Sequence, residues 1–326
     1  MHTLSDIARE LGVNKATVSK AISGKGNLSA ETRARILAFT EECGYRPNAV
    51  AQSLARSRSF NIGLMMPNPA GQDNGAFFHD CLSGVCRAAS ENGYDVLLIL
   101  GDETGTADLS RLMDNRKIDG VIAMRSLVKS PIVSFLKEKQ LPFVLIGPTS
   151  DRSVVSVDND NQTASREITA WLIARGARRI VLLGGDENHC VTHSRLRGFQ
   201  EACRQAGLPE QPVLLNLGGR EEMAQALPWD ALAAADSVVC MDEYICNLLM
   251  VQLRVRGIRV PEDLQVVSLY DSALLENNVP PVTSLHFDAW ELGRIAGEKL
   301  LALLESRPPR PLPPPSYRLL HRASTR

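Results

Sequence analysis

The chain has 326 residues, 44% of them hydrophobic, with 36 Lys and Arg against 37 Asp and Glu and a formal net charge of −1. That length suits two or three domains whose cores need neither disulfides nor metals. Seven cysteines without a CxxC pair, no apolar run approaching ~18 residues, and no basic-then-apolar order in the opening "MHTLSDIARELG" argue against a secreted disulfide scaffold, a membrane span and an exported protein; they predict reduced, buried thiols in the cytoplasm.

The charge is unevenly placed: residues 1–58 hold nine basic and five acidic side chains, and the remainder holds 27 and 32. A basic head on an acidic body predicts that only the head meets a polyanion. Thr3 opens a T-x-x-D sequence, and Leu4, Ile7, Ala8 and Leu11 follow at i, i+3, i+4 and i+7, the stripe of an amphipathic helix that Gly12 ends. Asn14 is then an N-cap, and Val18, Ala21 and Ile22 share one face of a second helix ending near Gly24. About three residues lie between the two, the spacing of a helix-turn-helix. Ser29 predicts the cap of a third helix, with Ile36, Leu37 and Thr40 turned inward and Gly44 closing it.

In a helix-turn-helix the second helix enters the major groove, so its exposed residues must be small or able to reach base edges. Lys15, Ala16, Thr17, Ser19 and Lys20 have that character. Lysine reaches guanine acceptors or phosphates, Thr and Ser bond either, and Ala16 suits a thymine methyl. A generic three-helix bundle with a polar face remains the alternative. Pro47 then stops the third helix, and Asn48 is placed to cap a short helix over 49–55, a segment too short to hold helix alone in water. Leu54 stands there among Arg46, Arg56 and Arg58, an apolar wedge among arginines as in minor-groove insertion; a flexible basic linker would carry the same residues.

Strands are predicted at 61–66, 95–100, 119–124, 142–146 and 154–157, and in a second series at 179–183, 212–217, 237–241 and 264–269, with helices between them such as 78–92 and a last long one at 289–304. Short strands spaced by helices imply parallel sheets with right-handed crossovers, hence an α/β body of two doubly wound subdomains. Ligands of such sheets sit beyond the carboxyl ends of the strands, so two facing sheets make a cleft. "LLGGDENHC" at 182–190 is glycine-rich but lacks the phosphate-loop spacings and reads as a strand-end loop; His189, Cys190 and His193 beside it lack metal spacing. The proline-rich 308–315 reads as a linker to a final strand in "YRLLHRA". No catalytic constellation, metal site or cofactor is predicted.

The order and spacing of "TLSDIARELGVNKATVSKAISG", "LSAETRARI" and "GYRPNAVAQSLA" leading into "NIGLMMP" closely resemble the DNA-binding headpiece and hinge of the lac repressor/galactose repressor family over residues 3–63, and more loosely to about residue 305. The resemblance implies a helix-turn-helix headpiece at 1–46, a hinge at 47–59 and a periplasmic-binding-protein-like effector and dimerisation domain at 60–326, with subdomains near 60–158 and 159–288 and the chain crossing back afterwards. It implies that Ser5, Lys15, Ala16 and Lys20 read bases, that Thr3, Leu4, Asn14, Thr17, Ser19 and Asn27 hold backbone or supporting positions, and that Asn48, Ala51 and Leu54 belong to the hinge helix, with Leu54 as the wedge. Lys20 stands where many members carry arginine, and lysine lacks the bidentate fork to guanine, so operator preference is expected to shift.

For the cleft, Arg195 matches the effector-binding arginine of the family; its fork suits vicinal hydroxyls, a carboxylate or a phosphate, while an exposed helix arginine is the bland alternative. Phe77, Phe78 and Trp290 either approach the ligand or pack in the core. After "VVSL" the family presents Gly-aromatic-Asp-Asp, whereas this chain has Tyr270 in the place of the first Asp, with Asp271 able to enter only through a one-residue bulge. The Asn-Asp of the family is here Met241-Asp242. Arg195 is thus expected to lack its usual acidic company, which favours a sugar acid or phosphosugar. The resemblance implies a cytoplasmic homodimer, a repressor of a near-palindromic operator controlled by a carbohydrate-derived effector. Two other classes fit less well: a sugar-binding protein without specific operator recognition, which would show a salt slope but no sequence preference, and an α/β enzyme, which would turn over a sugar phosphate.

Overall fold

A computed structural model describes residues 2–22, 24, 26–45, 58–67, 75–101, 105–217, 225–308 and 316–326. The chain divides into two compact units, Met1–Arg58 and Ser59–Arg326. The expected hinge helix with Asn48, Ala51 and Leu54 lies outside the described residues, as does all of the proline-rich stretch but Pro308.

The first unit is built of α1 (Leu4–Glu10), α2 (Lys15–Ile22) and α3 (Ala30–Glu42). Each start is capped by a short polar side chain, which satisfies amides that have no partner within the helix. The Asp6 amide donates to Thr3 Oγ1 at 3.3 Å and the Thr3 amide to Asp6 Oδ2 at 3.0 Å, closing a capping box. Asn14 Oδ1 accepts from the Thr17 amide at 2.7 Å and its hydroxyl at 2.9 Å, and Ser29 Oγ accepts from the Thr32 amide at 3.1 Å. The three helices bury Ile7, Ala8, Val18, Ala21 and Ile36 together. Arg35 donates across the bundle to the Leu11 carbonyl at 3.2 Å. Leu37 does not turn inward as its sequence neighbourhood suggests; it is 43% exposed. Ile36 and Thr40 stand four apart on the buried stripe, and Leu37 lies roughly 100° further round the helix.

In the second unit the strands form two sheets. The first contains β1 (Asn61–Pro67), β2 (Asp95–Gly101), β3 (Gly120–Ala123), β4 (Phe143–Ile146) and β5 (Ser156–Val157), all parallel, in the order β2-β1-β3-β4-β5. The second contains β6 (Ile180–Leu183), β7 (Val213–Leu214), β8 (Ser237–Cys240), β9 (Gln265–Ser268), β10 (Thr283–Phe287) and β11 (Tyr317–Leu320), in the order β11-β10-β9-β8-β6-β7, with β11 antiparallel. Central strands such as "IVLL" and "GVIA" are apolar throughout because helices cover both faces. The sequence carries no strand signal at β10: Thr283 and Ser284 are polar, yet both are fully buried and hydrogen-bonded to Ser324, Arg322 and Asp271. The strand expected over 212–217 shrinks to Val213–Leu214 at a sheet edge.

The helices of the first sheet are α4 (Gly75–Glu91), α5 (Ala107–Asp114) and α6 (Pro131–Glu138), and the chain continues through α7 (Asn161–Ala174), α8 (Cys190–Gln205), α9 (Trp229–Ala234), α10 (Glu243–Val255) and α11 (Ala273–Glu276) to α12 (Ala289–Leu304). α12 returns to the first sheet, where Leu292, Ile295, Ala296 and Leu300 share a core with Ile62, Leu64, Val85 and Ile122. All seven cysteines are unpaired; Cys81, Cys203, Cys240 and Cys246 are buried, but Cys86 is exposed, against the sequence expectation. Among the described residues no helix is long and apolar enough to cross a membrane.

Candidate functional site

The headpiece presents one face of α2. Lys15, Ala16, Ser19 and Lys20 are exposed on it, and the first turn carries no acid. Thr17 is half-buried and bonded to Asn14. Thr3, Ser5 and Asn27 are also exposed, whereas Leu4 packs on the bundle core.

A cavity of about 110 Å³ lies in the second unit beyond the carboxyl ends of the two sheets. The first half contributes Phe77 and Phe78 from α4, Arg125 and Ser126 after β3, and Asp158 and Asn159 after β5. The second contributes Arg195 from α8, Asp242 and Glu243 after β8, and Tyr270 after β9. Main-chain bonds cross between the halves beside it: the Cys190 amide donates to the Ser126 carbonyl at 3.0 Å and the Val128 amide to the Asn188 carbonyl at 2.8 Å. An edge-to-face contact of Phe77 on Tyr270, with centroids 5.6 Å apart, joins them again.

Arg195 is held in the cavity wall. Its Nε donates to Asn161 Oδ1 at 3.1 Å and its Nη1 to the Met241 carbonyl at 2.6 Å. Ser165 Oγ anchors the helix behind it by donating to the Arg195 carbonyl at 2.7 Å. Met241 therefore contributes its main chain, while its side chain is buried. Asp242 caps α10, its Oδ1 accepting from the Ile245 amide at 2.8 Å, and Asp158 Oδ1 accepts from Asn161 Nδ2 at 2.9 Å.

The cavity brings together Phe77, Phe78, Arg195, Asp242 and Tyr270, and leaves two expected residues out. Asp271 pairs instead with Arg322 at 2.6 Å and accepts from Ser284 Oγ at 2.5 Å, so no bulge carries it inward and Tyr270 keeps the position. Trp290 is 41% exposed and lines no part of the cavity; its carbonyl meets Gly84 at a helix crossing. The expectation that Arg195 lacks acidic company is also corrected, since Asp158, Asp242 and Glu243 surround it. Sequence reasoning passed over Arg125, Asp158, Asn159, Asn161 and Glu243. Their signal was position: each lies within a few residues of the carboxyl end of a strand, in "AMRS", "VDNDN" and "CMDE", with Asn161 and Glu243 opening the helices that follow.

Burial dominates the electrostatics. It lowers the pKa of Arg195, against the opposing charges of Asp242, Glu243 and Asp158. It raises Asp158 and Asp242, and with the Asp242 charge it pushes Glu243 up from 4.5 to about 8. Folded Glu243 thus keeps a proton between pH 4.5 and about 8 that the unfolded chain gives up. Its contribution to stability falls as pH rises through that window. Glu243→Gln, neutral at every pH, is expected to match the native protein at pH 4.5 and to exceed it at pH 8 by up to about 4 kcal/mol at roughly 1.4 kcal/mol per unit. Thermal melts at the two pH values check this, and equal melting temperatures at pH 8 would refute it.

Residues 3–48 match the family described as bacterial regulatory proteins, lacI family, and residues 169–325 match a periplasmic binding protein-like domain. The HTH-type transcriptional regulator MalR of Streptococcus pneumoniae is 33% identical over 316 residues, covering 93% of this chain and 92% of the relative. A transcriptional regulator solved as a CelR-cellobiose complex aligns with a TM-score of 0.74 at 28% identity, over 99% of this chain and 100% of that one. The lac repressor dimer bound to operator and the anti-inducer ONPF has a TM-score of 0.80 at 21% identity over 99% of both chains, a likeness of fold. With its helix-turn-helix head and two-sheet body joined in one chain that MalR matches almost end to end, this protein belongs to the lacI family of DNA-binding transcriptional regulators.

Proposed function

We propose that this regulator is a cytoplasmic homodimeric repressor whose operator affinity is set by a carbohydrate held in the cavity of its body. The observation that carries the reading is the cavity itself: a buried arginine and three carboxyl groups converge at the carboxyl ends of two parallel sheets, the geometry that fixes sugar hydroxyls. The CelR structure contains cellobiose, which supports a carbohydrate here. Arg125 and Arg195 stand in the cavity wall beside Asp158, Asp242 and a Glu243 that keeps its proton below about pH 8, so the wall carries both signs of charge and suits a sugar acid or phosphosugar as well as a neutral sugar. Leu98 and Leu100, 47% and 51% exposed on the edge strand β2, supply apolar surface that a second copy would cover.

On DNA, Ser5, Lys15, Ala16 and Lys20 face base edges, with Thr3, Asn14, Thr17, Ser19 and Asn27 at the backbone or supporting the helix. Leu4 holds the bundle together beneath them. Asn48, Ala51 and Leu54, which lie outside the described residues, contribute hinge contacts to the operator. The domains are the headpiece at 1–46, the hinge at 47–59 and the effector and dimerisation body at 60–326. Effector and operator are then linked through the arrangement of the body halves, and each changes the affinity of the other by the same factor.

The test is binding to its own upstream DNA, at fixed salt, against a panel of neutral, amino and acidic sugars. A shift of about 5–150-fold with one class supports the reading; specific DNA binding that no sugar moves removes the carbohydrate effector from it. Lys15→Ala and Lys20→Ala are each expected to weaken the selected operator by about 10–100-fold, the worth of one base-edge contact. Competition with non-specific DNA checks the roles: loss confined to the operator marks base readout, and equal loss on both marks phosphate contact.

A further inference from the structure

The glycine-rich turn "GGDENH" at 184–189, which reads along the chain as a plain strand-end loop, reaches across the body. It leaves β6 braced on the segment around the end of β7: the Gly184 amide donates to the Leu214 carbonyl at 2.8 Å, the Asn216 amide to the Gly185 carbonyl at 2.9 Å, and the Glu187 amide to Asn216 Oδ1 at 3.0 Å. A Cβ at Gly184 would lie 2.6 Å from both Leu215 Cδ2 and Met241 Sδ, so the close approach needs glycine. At the tip the Asn188 amide donates to Asp186 Oδ1 at 2.8 Å. There the Asn188 carbonyl accepts from the Val128 amide of the first half at 2.8 Å, and the Cys190 amide donates to the Ser126 carbonyl at 3.0 Å. Leu127 and His189 thus form one antiparallel pair, a single rung of sheet between the halves. Ser126 on one side of it, and His189 and Val191 on the other, are cavity wall.

We propose that this rung is a latch: the body halves switch between an arrangement in which it is made and one in which it is parted, and the two bind operator with different affinity. This rests on the reading of the cavity as the effector site and names the element through which that site acts. When the halves part, each bond is exchanged for one to water, so it favours the latched arrangement by only about 2–10-fold. Two such bonds bias an equilibrium without fixing it, as a switch requires. A ligand in the cavity lies against the loops on both sides of the rung and biases the same equilibrium by the difference in its contacts with the two arrangements. Neither loop is slack. Residues 126–128 run from β3 into the capped start of α6, where Ser130 Oγ accepts from the Val133 amide at 3.2 Å, and residues 188–190 run into α8, which carries Arg195. Parting the rung therefore moves whole helices.

Two variants of the full-length protein push the equilibrium in opposite directions. Cys190 is the first residue of α8, and His189 before it is extended at φ −83° and ψ 126°, so proline suits position 190. Cys190→Pro removes the amide and sets a ring carbon against the Ser126 carbonyl, which parts the rung; Cys190→Ala keeps the amide and is its control. Leu127 and His189 face each other as a non-hydrogen-bonded pair, with Cα atoms on the order of 4.5 Å apart, within reach of a disulfide. Leu127→Cys with His189→Cys, treated with oxidised glutathione, holds the rung closed, and dithiothreitol releases it; each single variant under the same oxidant is the control. The readout is binding to its own upstream DNA at fixed salt. Cys190→Pro is expected to shift operator affinity by about 2–10-fold or more against Cys190→Ala. The oxidised pair should shift it the opposite way against the same protein reduced, and should lose any response to the sugar panel. Shifts of the same sign, or variants that match their controls, overturn the proposal. If Cys190→Pro does not fold, the disulfide decides alone: equal operator affinity oxidised and reduced refutes the latch. These arms need no effector, so a native protein that no sugar moves removes the carbohydrate reading and leaves the latch to its own result.

Discussion

Arg195→Ala is expected to bind operator and to lose its response to effector. The guanidinium makes two hydrogen bonds, to Asn161 Oδ1 at 3.1 Å and to the Met241 carbonyl at 2.6 Å, which fix the loop that carries Asp242 and Glu243 into the cavity. Bonds from a charged donor contribute about 1.5–3 kcal/mol each. Losing both, together with the charge that offsets three buried carboxyls, weakens a ligand on that wall by roughly 100-fold or more. A linkage effect of about 5–150-fold then disappears at ordinary effector concentrations. Arg195→Lys separates the two contributions: it keeps the charge but not the planar fork, so it should recover part of the response. The check is fluorescence anisotropy on labelled operator with and without the effector, at one salt concentration. A full response in Arg195→Ala would mean that the effector does not use this wall.

The second large effect is on folding. α4 and α12 cross where glycines stand: a Cβ at Gly84 would run into the Trp290 carbonyl oxygen and come within 2.7 Å of the Arg294 amide, and one at Gly293 would run into the Cys81 carbonyl and lie 2.8 Å from its Cα. These are backbone atoms, so no side chain can swing aside and the helices must separate. The crossing also buries Cys81, Val85, Leu292 and Ala296 in the core under the first sheet. Overpacking of a well-filled core generally destabilises by about 1–3 kcal/mol, and a backbone collision lies at or beyond the upper end. Gly84→Ala and Gly293→Ala are therefore each expected to lower the melting temperature of the body by roughly 6–12 °C, at about 2–4 °C per kcal/mol. Gly75→Ala is the control, because nothing lies within 4 Å of its would-be Cβ. Equal melting temperatures for all three would show that the crossing yields more easily than its packing implies.

Most of the scaffold could be read along the chain. The caps at Thr3, Asn14 and Ser29 and the stripe of Ile7, Ala8, Val18 and Ala21 set the headpiece helices, because capping and amphipathic periodicity act within a few residues. The apolar runs of β1, β3, β6 and β8 announced buried parallel strands for the same local reason. β10 escaped because its polar residues are satisfied from Arg322 and Ser324, far along the chain. Leu37 was misplaced because one helical position decides between core and solvent, and the flanking residues leave that choice open.

The cavity divides the same way. Arg195, Asp242, Phe77 and Phe78 were found from motif and position, and the structure gathers them. Asp271 was lost to Arg322, and Trp290 to the surface, because a long-range ion pair and a helix crossing decided where those side chains go. The acidic surroundings of Arg195 come from loops after different strands, so their sum was invisible until the sheets faced each other. By itself the sequence determined the helix-turn-helix head, the alternation that builds two parallel sheets, and the arginine between them, since these depend on period, caps and spacing. The tertiary structure alone decided which polar atoms meet in the cavity, because burial and charge compensation depend on neighbours that the chain brings together only by folding.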